Sequence, residues 1–527
     1  MTAQSLILLL PLVGLAVLAG VGHRPAAGWI NIAFCAATFA ASLALAYQVL
    51  DHGALLALHR LLYVDAVNVY LIVLTAFIAL TTSLFSRPYM AHEVSRGRLS
   101  DARLRLYHAM YQGFLLAMLA ALSSNNLGIL WVAVEGATLT TVLLVSVYRT
   151  PEAVEAAWKY FILCGVGIAL ALFGTVLVYF AAAKFMPTAG DALSWTELHH
   201  RAALLDPVVL SIAFVFLLVG YGTKVGLVPM HQWLPDAHSE GPTPMSAILS
   251  GLLLNVALYT IVRFKMLVDG SLAAGSRHDP ALAGHMMIGF GIISFLVAAL
   301  LIHRQRDIKR MYSYSSIEHM GLMTFAFGIG GPLATFGALV HMMTHSLTKS
   351  AIFITAGHAS HIAASQRMDR IRGLIRTQPA VGWGLLIGTA AICGFPPFGV
   401  FTSEFLVLSA TMKSWPWLTL PLVIGLVVGF AGLFRHLHPM VYGAAPETQQ
   451  AVRVNMLPIR DCAGRGCGRT RSSTACSAPP ALPAAATICS CAHALIRSRR
   501  GSPPTRLITP RPTAWSATCT TCWASCS

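Results

Sequence analysis

The sequence predicts an all-α polytopic membrane protein of about 13–14 transmembrane helices, and three observations carry the expectation. Of its 527 residues 56% are hydrophobic and only 11% charged, against about 25% charged in a soluble domain. Apolar runs long enough to cross the hydrocarbon core, about 20 residues each, recur along most of the chain. Those runs are continuous and do not alternate, which argues against a β-barrel.

Taken in order, spans are expected near residues 5–22, 29–50, 64–85, 108–122, 127–147, 158–182, 207–230, 243–265, 283–303, 311–330, 334–357, 381–410 and 417–437. No Lys or Arg precedes the first run, and Arg24 follows it. It therefore reads as an uncleaved helix with its N-terminus outside, not as a secretory signal. The loops between spans then fall into two alternating sets. One holds Arg24, Arg87, Arg96, Arg98, Arg103, Arg105, Arg149, Lys159, Arg304, Arg306, Lys309, Arg310, Arg367, Arg370, Arg372 and Arg376, which is 16 basic residues. The other holds Arg60, Lys184, Arg201, Arg263, Lys265, Arg277 and Lys413, which is 7. The positive-inside rule puts the richer set in the cytoplasm. The formal charge of +16 thus resides in topology-setting loops. No basic patch with interleaved aromatics points to nucleic acid in the body of the chain.

Two spans are interrupted by Pro and Gly. The seventh contains KVGLVPMHQWLPDAH, residues 224–238, and the twelfth CGFPPFGVFTSEF, residues 393–405. Such breaks are tolerated at membrane depth only where protein or a water-filled cavity satisfies the freed backbone. Paired interruptions in corresponding halves point to inverted repeats with an ion site between them. The expected division is a three-helix region at 1–107, a first repeat at 108–265 and a second, inverted repeat at 283–437. Residues 458–527 stand apart, with 8 of the 11 cysteines, nine Arg, no Lys and a single acid, Asp461. Their Cys spacings match no paired zinc pattern. A basic disordered tail is a second account. Their composition favours a third, a stretch translated from a shifted reading frame.

A charged side chain at mid-membrane costs roughly 2.5–3.5 kcal/mol, so those inside the spans are the candidate functional residues. Glu135 lies in the fifth span and Lys224 at the break of the seventh. They read either as a structural ion pair or as a proton site in which the carboxylate tunes the buried amine. In the eleventh span His341, His345 and Lys349 follow at i, i+4, i+8 and share one face, as a proton relay requires. A zinc site competes for the two histidines, but no HExxH glutamate or third ligand lies nearby. His319, next to Glu318 in the tenth span, is a candidate link between the halves or a structural residue. Glu404, just after Pro396–Pro397, is the candidate exit carboxylate. Between the seventh and eighth spans, His231, Asp236, His238 and Glu240 suggest a wet cytoplasmic mouth to the Lys224 site. A metal cluster is the alternative. On the plainer account, Asp236 and the Ser, Pro and Thr after it shape a turn and cap the eighth helix. No nucleotide, flavin or haem signature is evident. Cys35, Cys164 and Cys393 are too scattered for an iron–sulfur cluster.

These residues carry a resemblance. KVGLVPMHQWLPDAHSEGPTPMSA, RDIKRMYSYSSIEHMG, HMMTHSLTKSAIF and GFPPFGVFTSEF are similar to the antiporter-like membrane subunits of respiratory complex I, Mrp cation/proton antiporters and membrane-bound hydrogenases. The likeness covers roughly residues 60–457. VEGATLTTVLLVSVYRTPEAVEAAWKYFILCGVGIALALFGT most resembles component F of the hydrogenase-4 and formate hydrogenlyase group. The resemblance implies a fourteen-helix fold and a proton path through Glu135, Lys224, His345, Lys349 and Glu404. Asn255 departs from it, standing where several relatives carry a lysine in the eighth helix. The resemblance stops near NMLPI, residues 455–459, before the fourteenth helix. The implied function is proton translocation across a bacterial inner membrane, driven by electron transfer in a peripheral hydrogenase-like or NADH-dehydrogenase-like arm. The chain itself would hold no cofactor and would work beside other membrane subunits. A Na⁺/H⁺ antiporter subunit and a purely structural anchor are the alternatives.

Overall fold

The computed structural model describes residues 2–444 except 187, 189, 275–278 and 280. The Cys-rich stretch 458–527 and Arg277 lie outside the described residues. The helices run α1 Ala3–Val21, α2 Ala27–His52, α3 Ala66–Ser95, α4 Asp101–Ser123, α5 Leu127–Val145 and α6 Pro151–Ala182. They continue with α7 Trp195–His200, α8 Pro207–Val225, α9 Trp233–Glu240, α10 Thr243–Ile248, α11 Leu254–Ala274 and α12 Leu282–Ile302. The last are α13 Ile308–Ile329, α14 Gly331–Ala363, α15 Leu374–Thr377, α16 Pro379–Ile392, α17 Gly399–Ser414 and α18 Pro416–Tyr442. One small hairpin pairs Leu55–Ala57 with Leu62–Val64.

Among the described residues ten helical stretches are long and apolar enough to cross a membrane, so the chain is a multi-pass membrane protein. α13 and α14, at 22 and 33 residues, are long enough but carry the ionisable groups. With them and the broken α16–α17, every span expected from the sequence has its helix.

Capping side chains fix where these helices begin. Asp65 accepts from the Val67 and Asn68 amides and closes a capping box with Asn68. Asn126, Asp206 and Asp307 cap α5, α8 and α13 in the same manner. Thr150 and Asp206 are each followed by a proline in the first helical turn. The two breaks share one device. Gly226 ends α8 at φ 84°, and Gly394 follows α16 at φ 70°. Both occupy the left-handed region that glycine enters at least cost.

α4 lies against α5 and α12 against α13, while α6 packs on α8 and α14 on α16 and α17. The eighth span, α10 and α11 joined through a π turn at Leu249–Leu253, is the most enclosed, with 94% of its apolar window buried. α1 and α2 bury only 28% of theirs. Their outer faces, and those of α6 and α18, expose Leu50, Phe180, Trp417 and Leu420, as lipid-facing helices do.

Candidate functional site

In the first half α8 delivers Lys224 to the break, wholly buried, with Nζ 3.4 Å from Glu135 Oε2 on α5. The ammonium also donates to Thr138 Oγ1 and lies 6.0 Å from the centroid of the Tyr160 ring. Glu135 keeps 20% of its side chain exposed, so the pair joins a wholly buried amine to a partly exposed carboxylate. The broken backbone beside it is satisfied by protein. Trp233 Nε1 donates to the Thr223 carbonyl at 2.8 Å, and its ring stacks on Tyr160 at 4.5 Å. The Val228 amide donates to Ser294 Oγ of α12 at 2.9 Å, so one half holds the other's open turn.

The segment 231–240 folds back as α9 and distributes the four expected mouth residues. Asp236 pairs with Arg310 and, at 3.4 Å, with Lys159. It does not cap the eighth helix. α10 starts behind Pro242 with no side-chain cap, although Pro244 does sit in its first turn. The expectation fails because two cations claim the carboxylate. His231 is nearly buried, with its ring 6.1 Å from that of Tyr314. His238 is fully buried, stacked on Phe353 at 4.7 Å, and neither ring nitrogen has a protein partner. Lys309 and Lys349 both act on it electrostatically, so His238 belongs to the second half and not to the Lys224 site. Glu240 lines a cavity of about 510 Å³ with Lys309 and His361. Burial pushes its carboxyl above the usual glutamate range. Among the described residues no three His, Cys, Asp or Glu side chains are placed to hold a metal.

In the second half His341, His345 and Lys349 of α14 are all fully buried on one face, as their spacing predicts. His319 Nδ1 lies 3.0 Å from His341 Nε2, and His341 Nδ1 lies 2.8 Å from Ser403 Oγ on α17. His345 makes ring contacts with both histidines, but its nitrogens have no protein partner. Lys349 Nζ donates to the Tyr312 carbonyl at 2.9 Å. Glu404 is nearly buried, its Oε1 unpartnered and its carboxylate against Gly394. His319 thus makes its ring contacts among the second-half histidines. Asn255 donates to Ser346 Oγ at 2.6 Å and also to carbonyls of Met342 and Gly251, tying α11 to α14 at the π turn.

Two acids that the sequence reading did not select join these groups. Glu318 is buried against Gly429 of α18 and is an electrostatic neighbour of both Lys349 and Glu404. It lies inside the tenth span, so the cost of a charge in lipid was the signal that marks it. Glu93 of α3 is also fully buried, 3.1 Å from His361 Nε2 and 3.6 Å from Arg98 Nη1. Its signal was masked, because hydropathy falls near residue 85 while the helix continues to Ser95. At the other end of the bundle Arg263 is buried. It pairs with Asp65 at 2.7 Å, donates from Nε to the Tyr259 hydroxyl at 2.9 Å and lies 4.3 Å from the Trp195 ring centroid. It was counted as a loop cation, but α11 runs past it to Ala274.

Residues 124–429 match the family model described as NADH:quinone oxidoreductase/Mrp antiporter, transmembrane. The chain is 48% identical over 461 residues to a hydrogenase-4 component F homolog of Methylacidiphilum infernorum, covering 87% of this chain and 94% of that one. Its fold is similar to a chain of the membrane-bound sulfane sulfur reductase, an archaeal respiratory membrane complex. The TM-score is 0.77 at 21% identity, over 86% of this chain and 91% of that one. A chain of the Mrp complex from Dietzia sp. gives 0.74 at 20%, over 85% and 82%. At such identities these two speak to fold alone.

Proposed function

This chain belongs to the family of transmembrane subunits shared by NADH:quinone oxidoreductases and Mrp antiporters, and from that premise we propose that it translocates protons. The Glu135–Lys224 pair serves the first repeat. His319, His341, His345, Lys349 and Glu404 serve the second. The 48% identity to a hydrogenase-4 component F homolog supports a driver of hydrogenase type, in which a peripheral arm transfers electrons and this chain moves the charge. Neighbouring membrane subunits would carry the signal. The 16-to-7 asymmetry of basic residues supports an N-terminus outside a bacterial inner membrane.

The observation that carries the reading is the wholly buried Lys224 ammonium held by a partly exposed carboxylate. Among the described residues the carboxylate is the one charged partner the amine has, so displacement of Glu135 relative to Lys224 is the motion by which the pair would pass a proton. On the second side, Lys349 has the Tyr312 carbonyl as fixed acceptor and the Glu318 carboxylate as electrostatic partner. The free nitrogens of His345 and the unpartnered Glu404 oxygen offer landing points onward.

The test is proton uptake into inverted vesicles carrying the whole complex, started with the reductant its peripheral arm accepts. Lys224→Ala should abolish uptake while the complex still assembles. Uptake at the wild-type rate would refute the proposal and favour a structural anchor. A pH change that requires sodium would favour a Na⁺/H⁺ antiporter instead.

A further inference from the structure

Glu93 and His361 stand outside the groups assigned above to either repeat, yet they form a largely enclosed ion pair. The carboxylate is wholly buried and the imidazole 19% exposed. His361 stacks on Tyr89 at 4.6 Å and lies 5.3 Å from the His92 ring. Above the pair opens the cavity of about 510 Å³, lined by Arg96, Arg98, Glu240, Lys309, His361 and Gln366. Its walls come from the ends of α3, α9, α13 and α14, with Tyr148 and Thr150 from between α5 and α6 and Thr243 of α10, so six helices or their junctions surround the well. Its Arg96, Arg98 and Lys309 belong to the richer loop set, which faces the cytoplasm under the positive-inside rule.

Inward from the well further buried ionisable groups follow, each within electrostatic influence of the next. Lys309 Nζ donates to the Gly241 carbonyl at 2.9 Å and senses the carboxylates of Glu93 and Glu240. His238 follows, both ring nitrogens free, within the electrostatic reach of Lys309 on one side and Lys349 on the other. Beyond Lys349 lie Glu318 and Glu404.

We propose that this well is the proton intake of the second repeat, with the Glu93–His361 pair as first acceptor and His238 as the group that hands the proton to Lys349. The inference rests on the proton-translocating function argued above. A proton from cytoplasmic water adds to the Glu93–His361 pair and raises its charge by one. Transfer inward returns the pair to its starting state and makes His238 an imidazolium. Transfer to a neutral Lys349 restores His238. Two ammonium neighbours repel a proton on His238, so it fills only after Lys349 has emptied, which gives the intake its direction. The groups facing Glu93 are Tyr89 and His92 of α3, Arg98, Tyr148, Lys309 of α13 and His361 of α14. Those facing His238 are Lys309 and Lys349.

The test uses the intact complex in inverted vesicles. Glu93→Gln, nearly isosteric, should slow proton uptake by at least about tenfold, a fraction of what a positioned proton-transfer group contributes. The loss should be greatest at alkaline pH, where free protons are scarce, and Glu93→Asp should restore part of the rate. His361→Ala should be slowed likewise and recover when imidazole is added, because the open well admits it. A structural pair would show neither the pH-dependent loss nor the recovery. If Glu93→Gln does not assemble, His361→Ala with and without imidazole decides alone. Wild-type rates and pH profiles in both variants, with Lys349→Ala inactive, would overturn the intake and leave the function standing. An active Lys349→Ala would instead remove the function.

Discussion

Lys224 and Glu135 meet at 3.4 Å from opposite conditions, the amine with no exposed surface and the carboxylate with a fifth of its own still open. Thr138, one turn along α5 from Glu135, accepts a second hydrogen bond from the same ammonium. The amine therefore has a fixed neutral partner and an adjustable charged one.

That asymmetry predicts unequal single variants. Glu135→Gln keeps a hydrogen-bonding partner but removes the charge paired with the Lys224 ammonium, so uptake should fall steeply. Lys224→Ala should fall as far. Because both act on one step, the double variant should be little worse than either, a coupling of about 0.5–3 kcal/mol between contacting residues. Initial uptake rates of the three variants measure it.

Gly429 offers a variant that touches the second repeat without removing an ionisable group. A methyl there would occupy the space of the Glu318 carboxylate, whose end is flexible. Gly429→Ala should therefore leave assembly and thermal stability nearly unchanged while shifting the pH profile of uptake. An unshifted profile would place Glu318 outside the path.

Arg263 should behave in the opposite way. Its guanidinium is buried between Asp65, Tyr259 and Trp195 at the far end of the bundle from the well. Arg263→Ala leaves Asp65 unpaired and should cost on the order of 3 kcal/mol. Thermal unfolding of the purified complex, followed by its helical signal, would show the loss. The pH profile of the surviving fraction should match wild type.

Glu240 gives a pH dependence with a definite sign. Burial raises its carboxyl in the folded chain, so the fold binds more protons than the unfolded state above about pH 4.3. Stability contributed by the neutral acid is present below that value and is lost as pH rises through the folded one. Glu240→Gln should flatten that decline, measured as melting temperature against pH.

Much of this was legible in the sequence because lipid imposes simple rules. The thirteen spans follow from hydropathy and the two breaks from Gly and Pro. The shared face of His341, His345 and Lys349 follows from helical spacing. What hid was of two kinds. Hydropathy marks the membrane and not the helix, so α3 was cut short and Glu93 passed for a loop residue. Lys309 likewise looked like a solvated loop cation, although it is buried against the Gly241 carbonyl. Pairings such as Asp65 with Arg263, and the capture of Asp236 by Lys159 and Arg310, join residues far apart in the chain. Local pattern carries no trace of them.

The Ser294 hydroxyl that receives the Val228 amide belongs to α12, a helix without Lys, Arg, Asp or Glu whose one histidine, His285, lies near its opposite end. A neighbour leaning on the middle of α12 would thus tug the loosened backbone next to Lys224 directly. A displacement of that helix would reach the open turn through a single hydroxyl.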